Sequence, residues 1–228
     1  MQLLTPQDRI KHLKKYANSG LVFRGMDELS YFPFFPGYLY YICSRPSVGK
    51  TALALSIAKR VKDGNVLFAS AEMDEYELRE RLLKMGGDND KHIFLSGYNY
   101  TIEDIICDLQ GCEDVQAVFV DYLQLMIDSE EDALDFVLQL RRIAAALNIP
   151  VFLTSQLLPS ADDRPGGPCN LDLPFNEDVE GLAGGIIYLY DAGPYVDNGK
   201  PVNAFITSKF TAPKTVELFF STETFSFN

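Results

Sequence analysis

The residues Ser44-Arg45-Pro46-Ser47-Val48-Gly49-Lys50-Thr51 have the types and spacing of a loop that grips phosphate. They follow an apolar stretch, Tyr38 to Cys43, and open an amphipathic one, Ala52 to Val61. Strand, glycine-bearing turn and helix in that order gather unpaired N–H groups and the positive end of a helix dipole at one point, where a polyphosphate is stabilised. In such a loop Lys50 reaches the β- and γ-phosphates and the Thr51 hydroxyl holds Mg²⁺. The usual pattern GxxxxGK[ST] has Ser44 in place of its first glycine, so Gly49-Lys50-Thr51 carries the signal.

Transfer of a phosphoryl group to water needs a cradle, a metal, an oriented water and a sensor of the γ-phosphate. Three more residues at strand ends are candidates for these parts. Asp121 ends the apolar strand Ala117–Val120 and is read as the Mg²⁺-water ligand, with a helix N-cap as the alternative. Glu72 follows the strand Val66–Ser70; it reads equally as the base that deprotonates water or as a solvent-facing acid among Asp74, Glu75 and Glu77. Gln156 follows Val151–Thr154 and reads either as the γ-phosphate sensor or as an exposed turn residue.

The elements that must position these residues alternate. Short apolar strands are predicted at 66–70, 93–95, 115–120 and 151–154. Helical patterns fall between them at 74–84, after the cap Thr101 to Leu109, and over 131–147. Near-continuous apolar strands in a βαβα rhythm predict an α/β fold: a mostly parallel central sheet with helices on both faces. Strands at 186–190, 202–208 and 216–220, with 224–227 as a further candidate, extend it in antiparallel fashion. Asp197-Asn198-Gly199 is one of their turns. Residues 158–177, rich in Pro, Gly, Asp and Asn, form a long loop of the functional or disordered kind. The aromatic, proline-punctuated segment 30–37 is expected to cover the sheet edge. Near the N-terminus, Thr5-Pro6 opens a small helix with an apolar stripe at Ile10, Leu13 and Ala17, which packs on its own domain or docks on a neighbouring subunit. The division is thus a helix or linker over 1–20 and one domain over 21–228.

The chain has 228 residues, a formal net charge of −12, four cysteines and two histidines. That charge argues against tight non-specific binding of nucleic acid by the whole surface, though not against a locally basic channel. Cys107 and Cys112 lack histidines close in sequence to complete a metal site, so all four cysteines are read as reduced thiols. With no secretory signal and no membrane-length apolar run, a cytoplasmic protein is expected.

The whole set resembles the C-terminal motor domain of DnaB-type replicative helicases, a RecA-like fold of the P-loop NTPase class. Arg45 to Leu55 is similar to that family's phosphate loop, which commonly lacks the first glycine. Ala71-Glu72-Met73 resembles its Leu-Glu-Met segment, whose Glu is the catalytic base. Val120-Asp121-Tyr122-Leu123-Gln124-Leu125-Met126 resembles its Walker B strand, and Ser155-Gln156-Leu157 its γ-phosphate-sensing segment. Asp172-Leu173 and Val179-Glu180 fall within its later signatures, and Thr215 to Leu218 matches a late strand. The resemblance implies ATP and Mg²⁺ as ligands, with Ser44 to Thr51 around the phosphates and Thr51 and Asp121 on the metal. It gives Glu72, Lys50, Gln156 and Lys209 roles in hydrolysis. It also implies single-stranded DNA as partner, a homo-oligomeric ring, hexameric in type, other replication proteins as partners, and a bacterial, phage or mobile-element origin.

Departures from the family accompany the match. The family places a Lys and, two residues later, an Arg before a Gly-Pro turn, to reach a neighbour's ATP site. Here Lys209 matches the first and Thr211 stands at the second; Lys214 lacks the bidentate fork of an Arg. Pro174 stands where an Arg is expected and Gly184 where an acid is. The family's N-terminal domain has no counterpart in these residues. Between Gln156 and Ile186, where DNA-binding loops are expected, the stretch holds one Arg, Arg164, and no Lys, against Asp162, Asp163, Asp172, Glu177, Asp178 and Glu180. An alternative therefore stands beside the helicase motor: a slow or inactive ATPase that acts as a switch or scaffold through protein partners. A small-molecule kinase of the phosphate-loop class fits the Gln156 segment and the late strands less well.

Overall fold

The structure, a computed structural model, describes residues 29, 32–61, 64–86, 93–96, 100–174, 181–194 and 196–227. The N-terminal helix expected within 1–20 lies outside these residues, as do Glu177, Asp178, Val179 and Glu180.

Among the described residues, nine strands form one sheet. In chain order they are β1 (Leu39–Ser44), β2 (Asn65–Ser70), β3 (Ile93–Ser96), β4 (Val115–Asp121), β5 (Val151–Gln156), β6 (Ala183–Asp191), β7 (Gly199–Ser208), β8 (Lys214–Ser221) and β9 (Ser226–Phe227). The spatial order is β3-β2-β4-β5-β1-β6-β7-β8-β9. The first six in that row pair in parallel and β6 to β9 pair antiparallel, as the sequence rhythm predicts. The described residues also form four α-helices: α1 (Lys50–Ala58), α2 (Glu75–Lys84), α3 (Ile102–Gly111) and α4 (Glu130–Leu147). Asp74 and Thr101 cap α2 and α3 through reciprocal bonds with Glu77 and Asp104, so both helices begin where the sequence supplies acceptors for orphan N–H groups.

Period-two side chains divide the core between the two faces. Leu39, Tyr41, Cys43, Val118 and Val120 face α3 and α4, whereas Tyr40, Ile42, Phe68, Phe119 and Phe152 face α1. On the α1 face an aromatic row crosses four strands. Phe68 stacks on Phe119 at 5.6 Å, Phe119 on Phe152 at 4.5 Å, and Phe152 on Tyr40 at 5.6 Å. These rings sit on directly paired residues, and a one-residue slip would throw every ring to the opposite face. The row therefore fixes the register that aligns Ser70 with Asp121 and Ser44 with Gln156 at the carboxyl edge.

Two local expectations change. Of the segment 30–37, the described residues 32–37 do not merely cover an edge: Phe34 is fully buried and packs at 4.9 Å on both Tyr40 and Phe152, beneath the central strands. Removing such aromatic area from water is worth more than leaving it as a cover. The helix after the phosphate loop is not amphipathic, because all nine residues of α1 are buried. Its outer side is covered by β9, where Phe227 donates its N–H to Ser56 Oγ at 3.1 Å. The ring of Phe227 also lies against the phosphate loop. A Cβ on Gly49, whose φ is +115°, would come within 3.0 Å of it, so both conformation and space demand glycine there.

The loop after β5 is folded on a charge. Asp172, fully buried, takes a two-point contact from Arg164 (2.6 and 2.7 Å), the Ser160 hydroxyl (2.8 Å) and the Cys169 N–H (2.9 Å). The Arg164 guanidinium, aided by the Cys169 and Ser160 bonds, holds the carboxyl down at about 2. The contribution to stability is then complete above the unfolded value of about 4 and is lost as pH falls from there through about 2. Asp172→Asn is expected to destabilise the domain by about 1–3 kcal/mol at neutral pH, with a deficit that shrinks as the wild type is taken below about pH 4. Urea unfolding of both proteins across that range checks this; an equal deficit at pH 7 and pH 3 contradicts it.

Candidate active site

The carboxyl ends of β1, β2, β4 and β5 meet at one place, and the side chains they carry define the site. The phosphate loop leaves β1 at Ser44, which is buried with its hydroxyl bonded to the Arg45 carbonyl at 2.8 Å. Positive φ at Ser47 (64°) and Gly49 (115°) turns the chain tightly into α1. The first N–H groups of α1 have no helical acceptor and are free to bind an anion. Arg45 is drawn aside: its Nε pairs with Asp162 at 2.9 Å and its Nη1 donates to the Leu157 carbonyl at 2.9 Å.

Asp121 is fully buried at the end of β4. The Thr51 hydroxyl donates to its two oxygens at 2.9 and 3.2 Å, and the Thr154 hydroxyl of β5 donates to one of them. Burial pushes the carboxyl's pKa up, opposed by the Thr154 bond, the nearby Lys50 ammonium and the Thr51 bond. A buried carboxylate beside a hydroxyl is a donor set suited to a hard cation. Mg²⁺ commonly takes only one or two protein ligands and completes its shell with water and phosphate. Among the described residues no group of three or more His, Cys, Asp or Glu could hold a metal; Thr51 and Asp121 are a pair that could hold one whose shell is completed by water and phosphate.

Lys50 is nearly buried, with its ammonium 3.6 Å from Glu72 Oε2 and 4.4 Å from the centroid of the Tyr122 ring. Glu72 therefore faces the phosphate loop instead of standing apart among the acids of α2, with its side chain 43% exposed. It follows a turn in which Ser70 Oγ accepts the N–H groups of Glu72 and Met73. Gln156 pairs in register with Ser44 and so stands beside the phosphate loop. Its backbone is gripped by Gln124, which accepts the Gln156 N–H at 3.1 Å and donates to the Gln156 carbonyl at 3.1 Å and Ser155 Oγ at 2.9 Å.

Lys209 is not part of this group. It follows β7, its N–H bonds to the Gly184 carbonyl at the start of β6, and its ammonium donates to the Gly181 carbonyl at 2.6 Å. Its neighbour Phe210 packs on Tyr38, just before β1. Lys209 and Thr211 thus lie at the amino edge of the parallel strands, with the length of β1, on the order of 20 Å, between them and Lys50.

Several contributors escape a reading of the sequence. Thr154 lies inside an apolar strand, and only its alignment beside β4 reveals its partner. Gln124 is visible as a polar residue in an apolar run, but its grip on Gln156 is a contact across 32 positions. A cavity of about 520 Å³ flanks the phosphate loop, lined by Arg45, Val48, Arg164, Pro168, Tyr190 and Asp191 among others. Gly167 is pressed against the Tyr190 ring, where a Cβ would come within 2.8 Å.

Comparison with known proteins bears on the family and the fold. Probable plasmid replicative DNA helicases are similar to the chain: that of Chlamydia muridarum is 29% identical over 166 residues, covering 56% of this chain and 37% of the relative. The Chlamydia psittaci protein is 28% identical over 194 residues, 68% of this chain and 42% of that one. The chain thus spans about two fifths of the length of these curated relatives. Among solved structures, a DnaB-like replicative helicase described with its interactions with primase superposes with a TM-score of 0.81 at 22% identity, over 99% of this chain and 67% of that one. An ATPase domain solved on its own gives 0.77 at 21% identity, over 99% of both chains. A KaiC-like protein of Pyrococcus horikoshii gives 0.63 at 16% identity, over 91% of this chain and 96% of that one, which extends the shared fold beyond helicases. The model of the DnaB-like helicase C-terminal domain matches residues 22–104 and 99–228, and the chain belongs to that family.

Proposed function

We propose that the chain is the ATP-hydrolysing motor of a DnaB-type replicative helicase, acting on single-stranded DNA as a ring of like subunits. The observation that carries this reading is the convergence of Lys50, Thr51, Glu72, Asp121 and Gln156 on one edge of the sheet. In this reading the loop from Ser44 to Thr51 cradles the phosphates, and the flanking cavity with Tyr190 takes the nucleoside end. Thr51 and Asp121 hold Mg²⁺, which neutralises charge on the phosphate oxygens when bound. Lys50 leaves Glu72 for the β- and γ-phosphates, which frees the Glu72 carboxylate to orient and deprotonate water. Gln156 senses the γ-phosphate, and Gln124 couples its backbone to the end of β4.

The position of Lys209 supports assembly. It is too far from its own phosphate loop to act there, so any part in hydrolysis belongs to a neighbouring copy. The runner-up reading, a slow switch that works through protein partners, rests on two observations. Thr211 brings no charge to that contact, and Arg45 and Arg164, the cations of the loops after β1 and β5, are taken up by Asp162 and Asp172. Phosphate contacts to DNA are weakened by such neutralisation.

Steady-state hydrolysis separates the two. The motor predicts turnover stimulated by single-stranded DNA, and a fall of about 100-fold or more in Glu72→Gln with nucleotide binding retained. Binding with negligible, DNA-independent turnover identifies the switch. Thr211→Arg restores the charge and fork that the intersubunit contact lacks. It is expected to raise turnover about tenfold or more at protein concentrations that support assembly; an unchanged or lower rate counts against an intersubunit role for this edge.

A further inference from the structure

Lys50 brings a charge into a nearly closed position, and the two groups beside its ammonium differ in kind. Glu72 approaches at 3.6 Å, an ion pair longer than a hydrogen bond, through a side chain that is itself 43% exposed. The other neighbour is the face of the Tyr122 ring, whose centroid lies 4.4 Å from Nζ, inside the range in which a ring quadrupole attracts a cation. The turn that carries the ring is fixed by its backbone and by its neighbours. Tyr122 directly follows Asp121, its carbonyl accepts the Leu125 N–H at 3.1 Å, and Leu123 of the same short turn is buried. Gln124, also of this turn, grips Ser155 and Gln156. One stretch of four residues thus reaches Thr51, Lys50 and the end of β5.

We propose that Tyr122 is a positioning residue for Lys50: its ring face holds the ammonium at the carboxyl edge of the sheet without offering an acceptor that phosphate would have to displace. The carboxylate of Glu72 competes with phosphate for Lys50, since both bind through oxygen lone pairs. The ring does not compete, and its attraction is strongest where water is excluded. Lys50 can therefore exchange Glu72 for phosphate while keeping one fixed neighbour. This inference rests on the Mg·ATP reading of the site, but its structural half can be tested without nucleotide.

The test uses Tyr122→Phe, which keeps the ring, and Tyr122→Leu, which removes it. In the nucleotide-free protein labelled with ¹³C-lysine, the Lys50 signal is identified by its loss in Lys50→Met. Its Cε protons are expected upfield through the ring current in the wild type and in Tyr122→Phe, and at an ordinary position in Tyr122→Leu. Binding of a non-hydrolysable ATP analogue should stay within about twofold in Tyr122→Phe and weaken about two- to thirtyfold in Tyr122→Leu. It should weaken no further when Tyr122→Leu is added to Lys50→Met. An ordinary Lys50 position in the wild type overturns the proposal even if Tyr122→Leu does not fold. So does Tyr122→Leu binding like the wild type, Tyr122→Phe losing as much as Tyr122→Leu, or a loss that persists on the Lys50→Met background. Failure of every chain, wild type included, to bind the analogue counts against the functional reading, while the ring-current shift still decides whether Tyr122 holds Lys50.

Discussion

A carboxylate buried at the end of a central strand has to be compensated, and the partners of Asp121 are what tie the phosphate loop to the sheet. Left unpaired, such a charge costs several kcal/mol, on the order of 3–5. Thr51 supplies one compensation from the first turn of α1 and Thr154 the other from β5. Three elements distant in sequence are thereby drawn to one point. The aromatic row through Phe68, Phe119, Phe152 and Tyr40 makes that meeting reproducible, because it sets the strand register on which the alignment depends. The turn after Asp121 then carries Tyr122 to Lys50 and Gln124 to Gln156, so the same strand end organises both sides of the site.

The sheet has two edges with different duties. At the carboxyl edge lie Lys50, Thr51, Glu72, Asp121 and Gln156, the groups proposed to bind and hydrolyse a nucleotide. At the amino edge lie Lys209, bonded to the Gly181 carbonyl, and Thr211. Within one subunit these edges are separated by the length of the strands, so they can cooperate only when the carboxyl edge of one copy meets the amino edge of the next. Head-to-tail contact of this kind closes into a ring when the rotation allows. The acidic balance of the chain is consistent with the internal pairing of its loop cations: Arg45 with Asp162 and Arg164 with Asp172 leave the loops after β1 and β5 with little uncompensated positive charge.

Much of this was legible in the sequence because it depends on short-range pattern. The run Gly49-Lys50-Thr51 after an apolar strand, the acid at the end of Ala117–Val120, and the alternation of apolar strands with capped helices each rest on spacing that a reader can count. The helix α1 reads as amphipathic in sequence yet is buried all round, because its outer cover, Phe227, lies 171 positions from Ser56, and no local period encodes a distant lid. The deep burial of Phe34 is not encoded locally either, since a proline-punctuated aromatic run looks alike whether it caps an edge or fills a core. Thr154 and Gln124 were hidden by their apolar surroundings and emerge only from the pairing of β4 with β5. Arg164, the one Arg between Gln156 and Ile186, is the partner of a buried Asp172, a pairing that sequence separation alone does not reveal.

In the proposed function Thr51 and Asp121 are the place where Mg²⁺ and a nucleotide are bound together. Calorimetric titration of a non-hydrolysable ATP analogue, with Mg²⁺ and again with the metal chelated, tests that claim most directly. One nucleotide per chain is expected with Mg²⁺ present, and an affinity lower on the order of tenfold or more without it, because a cation held by Thr51 and Asp121 would neutralise charge on the phosphates. No binding, or the same affinity in both conditions, would contradict it.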